Sequence, residues 1–139
     1  MKKSFFINGG AGRVLCSLPG LEWYQQNVDK DVVIISEAWQ ELFLVNKNLR
    51  HNVWPMNSKG LWDKIRDTEL ISPEPYRLNA YFNQRCNMIQ AFDMLINDHT
   101  EVPESKAINL DINKVDQIHG HSTVSYTHLT LPTKWIVGW

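Results

Sequence analysis

Two hydrophobic rhythms run along this chain. Phe5 to Ile7 and "DVVIIS" (Asp31–Ser36) are short apolar runs, the second β-branched. Runs of that kind suit strands of a parallel sheet covered on both faces. Lys3 and Ser4 extend the first strand, and "NVWPMN" holds a short third one closed by Pro55. Between them the spacing turns helical. Val14, Leu15, Leu18, Leu21 and Trp23 predict a helix from about Gly12, kinked or restarted at Pro19 because proline lacks the backbone donor. Glu37–Asn46 reads as a helix with Trp39, Leu42 and Phe43 inward. Lys59–Thr68 reads as another, carrying Leu61, Trp62 and Ile65. Tyr76–Ile96 is the longest periodic stretch and reads as one helix, entered through Pro75 with Ser72 or Glu74 near its cap. "NDHTEVPES" is a polar linker, and "AINLDI" reads as one further strand. Alternating strands and helices predict an α/β, Rossmann-like parallel sheet with flanking helices and right-handed crossovers.

Composition narrows the class. A chain of 139 residues with 43% hydrophobic content can bury a core as one domain. Its net charge of −1, from 14 basic and 15 acidic side chains, gives no electrostatic reason to bind nucleic acid. No stretch is apolar for long enough to span a membrane, and the start is too polar for a signal peptide. Cys16 and Cys86 lie in helix-like stretches and read as reduced core thiols, which fits a cytoplasmic protein.

The chemistry concentrates where the first strand runs into "NGGAGR" (Asn8–Arg13). A helix starting at a glycine turn offers unpaired N–H groups and the positive end of its dipole to a phosphate. Gly10, Ala11 and Gly12 are the predicted cradle, and Arg13 adds a two-pronged cation suited to phosphate. The bland alternative is that the glycines only turn the chain. The dinucleotide fingerprint G-x-G-x-x-G is met at Gly10 and Gly12 but has Leu15 at its third glycine, although Glu37 stands where a ribose-binding acid would. The P-loop is excluded, since Arg13 and Val14 follow Gly12.

"INGGAGRVLCSLPGLEWY", with Gly10, Gly12, Arg13 and Val14 and then Pro19, Gly20 and Leu21, resembles the opening of the ADP-heptose:lipopolysaccharide heptosyltransferase-like glycosyltransferases, closest to bacterial and phage proteins. The resemblance covers about residues 4 to 98. It implies the N-terminal half of a two-domain GT-B fold, with 1–98 as the acceptor-side domain and 99–123 as a linker or crossover to a missing second domain. It implies sugar transfer from a nucleotide-sugar donor to a glycan or other hydroxyl acceptor, with no cofactor and no obligatory metal, and a fragment inactive alone. The family's usual base is an acid in the glycine turn; here that position is Arg13, which cannot take a proton. Glu37 is the substitute, with helix capping as its plainer role. Alternatives are a nucleotide-cofactor or phosphate-binding Rossmann module, or a non-catalytic interaction protein.

Other features weigh less. Tyr76 and Arg77 are candidate substrate contacts, with Glu74 and Arg77 spaced for an ion pair at a helix start. His119 and His121 lack the further ligands a metal needs, so no metal site is assigned. Trp23, Trp39, Trp54 and Trp62 read as core, with sugar stacking the alternative. Residues 124–133 resemble the translation of a sequencing-library adapter, which would make 124–139 an artefactual tail.

Overall fold

The computed structural model describes residues 2–111. Strand β1 (Lys3–Ile7) leads into helix α1 (Ala11–Asn27), and β2 (Val33–Ser36) into α2 (Gln40–Leu44). Then come β3 (Val53–Pro55), α3 (Leu61–Ile65), β4 (Glu69–Ile71), a 3₁₀ turn (Pro75–Arg77), α4 (Asn79–Phe82) and α5 (Met88–Asn97). The four strands form one sheet in the order β3-β2-β1-β4, and every pairing is parallel. Phe5 lies against Ile34 on one side and Ile71 on the other. The α/β, Rossmann-like expectation holds.

Strand alternation assigns the faces. Phe5, Ile7, Val32 and Ile34 join Val14, Leu18 and Leu21 of α1, Phe43 of α2 and Phe92 and Ile96 of α5 in one large core. Val33 and Ile35 point the other way, onto Leu61 and Ile65 of α3. The helix after β1 and the helix before β4 therefore cover opposite faces. The chain reverses its winding between β1 and β4, and in such sheets that crevice, beyond the carboxyl ends of the strands, is where ligands sit.

α1 runs unbroken through Pro19. Tertiary packing offsets the lost hydrogen bond there. Gly20 faces α5 so closely that a Cβ on it would lie 3.0 Å from Asp93 Cα. Asn97 Nδ2 donates to Gly20 O at 3.0 Å, binding the two helices at that point.

The other differences have local causes. The single helix over Tyr76–Ile96 is instead a 3₁₀ turn and two helices. Gln84, at φ 60°, ends α4 with Arg85 N donating to Ala80 O and Gln84 N to Tyr81 O, a left-handed helix cap. Asn87 then starts α5 with a reciprocal capping box to Gln90, at 2.8 and 2.9 Å. α2 begins at Gln40 rather than Glu37, because Glu37 N still bonds Ile7 O and Trp39 adopts φ 61°. Trp39 and Trp62 are exposed, at 43% and 71%, so neither is core. β4 has no counterpart in the apolar pattern. Its exposed Glu69 and Leu70 give it no apolar run. "AINLDI" is no strand through Asp111. Ile108 and Leu110 do pack on the core, and the segment is held by Asp111 N donating to Val45 O and by side chains rather than by a strand partner. Asn46 Nδ2 donates to Asn109 O at 3.1 Å, and Lys106 pairs with the buried Asp93. The 124–139 tail, most of the expected 99–123 linker, and His119 and His121 lie outside the described residues.

Candidate functional site at the β1–β4 switch point

The corner between β1 and α1 is built around Arg13. Gly9 takes φ +94°, and a Cβ there would stand 2.5 Å from Arg13 Cδ. Glycine is therefore needed both for the backbone and to let the arginine side chain lie back over the turn. Gly10 is the helix N-cap in extended conformation, with no side chain capping it and no acid in the first turn. The first N–H groups of α1, at Ala11, Gly12 and Arg13, precede the reach of the helix's own carbonyls. Gly10 is exposed, Ala11 half-buried and Gly12 buried.

Arg13 itself is nearly buried and fully engaged. Nη1 donates to Glu74 Oε1 at 3.0 Å and Nη2 to Glu74 Oε2 at 3.3 Å, a two-pronged grip on a residue just past β4. Nε donates to Asn8 O at 3.2 Å, and Nη2 lies 3.4 Å from both Asn8 Oδ1 and Pro73 O. The guanidinium also lies 5.7 Å from the Phe92 ring centre. Glu74 Oε1 accepts a further bond from Tyr76 N at 3.3 Å. Arg13's hydrogen bond, more than any other influence, holds the Glu74 carboxyl below the ordinary carboxylate range. The ion pair thus spans the crevice at the switch point.

Two features at the same edge stand out. Ser36, the last residue of β2 and the partner of Ile7, is fully buried, and its Oγ has no hydrogen-bond partner among the described residues. Buried hydroxyls are normally satisfied. Beside it, Trp39 holds a left-handed backbone conformation, uncommon for a bulky residue.

The structure brings Gly10–Arg13 together with Glu74 and Tyr76. Glu37 is exposed past the end of β2 and takes no part in the Arg13 cluster. Glu74 pairs with Arg13 rather than with Arg77, which is exposed. Asn8, Ser36 and Glu74 carry no sequence signal that marks them as site residues. Asn8 sits on the turn itself, whereas only the strand order brings Ser36 and Glu74 to the same edge. Among the described residues, no group of three His, Cys, Asp or Glu side chains could hold a metal ion, and no helix is long and apolar enough to cross a membrane. Comparison with protein-family models, curated proteins and solved structures yields no match.

Proposed function

We propose that this chain is the Rossmann-like, acceptor-side domain of a glycosyltransferase-like protein. It meets a phosphate of a nucleotide sugar, or an anionic acceptor group, at the carboxyl ends of β1 and β4. The observation that carries the reading is Arg13, held with α1's uncapped first turn at the switch point of the sheet. The resemblance of Gly10–Leu21 to heptosyltransferase-like openings supplies the reaction class.

The chemistry follows from the donors available. A phosphate presents two oxygens to a guanidinium as Glu74 does, so it competes with that carboxylate for Arg13. The N–H groups of Ala11 and Gly12 add to the field, and the orphaned Ser36 hydroxyl is a further donor at the same edge. Glu74, held ionised by Arg13, is a weak base. Glu37, exposed at the end of β2, is the carboxylate left to accept an acceptor's hydroxyl proton. A dinucleotide-cofactor site fits less well, because Leu15, at the missing third glycine, is 2% exposed and belongs to the core.

Calorimetric titration with UDP-glucose and ADP-glucose tests the binding step, with Arg13→Ala as the control. The reading expects saturable binding that Arg13→Ala weakens by about 10- to 100-fold, the loss of a charge-assisted pair. Equal affinity in the folded variant removes Arg13 from the site.

A further inference from the structure

A second concavity lies alongside α1, bordered by Cys16, three residues past Arg13, and by Tyr76, two residues past Glu74. It is a groove of about 830 Å³ between α1 and the α4–α5 connection, with Cys16, Tyr76, Tyr81, Phe82, Arg85 and Met88 among its walls. That volume is in the range of small-molecule sites. Its rings are unusually bare: Tyr76 is 56% exposed and Phe82 71%. Tyr81 meets Tyr76 edge to face at 5.7 Å between centroids, which steadies the Tyr76 ring.

The charge of the groove is one-sided. Its lining contains no aspartate or glutamate, and its cation is Arg85. Arg13 spends its donors on Asn8, Pro73 and Glu74, whereas the Arg85 guanidinium makes no hydrogen bond or ion pair among the described residues. Nor does Arg85 sit on a loose loop. The left-handed cap at Gln84 closes α4 on one side of it, and the Asn87–Gln90 capping box opens α5 on the other. Asn87 Nδ2 also donates to Ser105 Oγ at 3.0 Å. A guanidinium with no ion pair among the described residues, on a braced loop beside exposed rings and in a groove whose own lining holds no acid, matches a ligand that has a flat face and a negative group; Glu101 lines a neighbouring concavity that Arg85 also borders.

We propose that this groove binds a small organic anion built on a flat ring, with Arg85 holding the anion and Tyr76 and Phe82 flanking the ring. The groove borders the switch point through Tyr76, whose N–H donates to Glu74 Oε1, but its lining includes neither Arg13 nor the glycine turn.

The test uses 1-naphthyl phosphate on the intact chain, with 1-naphthol and inorganic phosphate as half-ligands, followed by amide NMR. The expected result is saturable shifts centred on residues 81–90, with each half-ligand binding at least tenfold more weakly. Arg85→Ala should weaken binding roughly tenfold or more, and Arg85→Lys should recover part of that. Arg85 is exposed, so both variants should keep the wild-type melting temperature. Phe82→Ala should weaken naphthyl phosphate but leave inorganic phosphate unchanged. The proposal is overturned by absent shifts at 81–90 at millimolar ligand, or by unchanged affinity in Arg85→Ala. Shifts that move to Gly9–Arg13 would overturn it too, because they assign the ligand to the switch point. Shifts at 81–90 that depend on protein concentration alone would mark self-association and also overturn it.

Discussion

Arg13 and Glu74, 61 residues apart in sequence, join the start of α1 to the segment after β4 by two parallel N–H···O contacts of 3.0 and 3.3 Å. Glu74 is 37% exposed at its side chain and Arg13 only 13%. Solvent screens the carboxylate, but the guanidinium would be left largely buried without it. Glu74→Gln should therefore cost about 1 kcal/mol at neutral pH, less than the roughly 1.5–3 kcal/mol of an unscreened charge-assisted bond.

That loss should depend on pH. The pair with Arg13 keeps Glu74's folded pKa below its ordinary 4.5, so the unfolded chain takes up the proton first as pH falls. The stabilisation is complete above that ordinary value and disappears as pH drops through the lower folded one. Denaturant unfolding of wild type and Glu74→Gln should show a gap at pH 7 that narrows below about pH 5. A gap that stays constant down to pH 3 would mean the carboxylate's charge is not what Arg13 holds.

Gly9→Ala should destabilise by about 1–3 kcal/mol, because alanine at φ +94° is strained and its Cβ meets Arg13 Cδ. In an Arg13→Ala background the steric part should vanish and the backbone part remain. A double-mutant cycle of melting curves separates them. Strict additivity would show that Gly9 and Arg13 do not press on one another.

Gly20→Ala should cost about 1–3 kcal/mol by forcing α1 away from the α5 backbone at Asp93. Chemical denaturation reads it directly. A neutral result would mean the helices separate freely at this crossing.

Asp93 is 1% exposed and meets Lys106, His99 and, through Oδ1, Asn97. Lys106→Met leaves that carboxylate short of its main cation and should cost about 1–3 kcal/mol, below the cost of breaking a fully buried pair because Lys106 is 36% exposed. Hydrogen exchange should also rise along 103–111, whose Ile108 and Leu110 would lose their anchor. Unchanged exchange there would show that apolar packing alone holds the segment.

These particulars show what the sequence made legible. β1, β2 and the start of α1 follow from runs that nothing competes with, such as Val32–Ile35 between a polar turn and Glu37. The division of Tyr76–Ile96 was also written in the chain, as the capping pair Asn87 and Gln90, but the apolar period of Tyr81, Ile89 and Phe92 masked it. β4 was illegible because strand formation there rests on pairing with Lys3–Phe5, not on its own residues. The site was half legible. Gly10–Arg13 declare themselves by composition, whereas Glu74 reaches Arg13 only through a sheet order that puts β4 beside β1.

An anionic ligand taken at the β1–β4 crevice is located best residue by residue. Amide NMR of the intact chain during titration with UDP-glucose, and separately with pyrophosphate, locates the ligand without presuming catalysis. With the ligand in that crevice, the largest shifts should fall on Gly9–Arg13 and Glu74–Tyr76, with smaller ones at Ser36 and Glu37, and Arg13→Ala should abolish or displace them. No shift at Gly9–Arg13 at saturating ligand, or the same shifts in folded Arg13→Ala, would contradict that placement and leave the glycine turn as a structural corner.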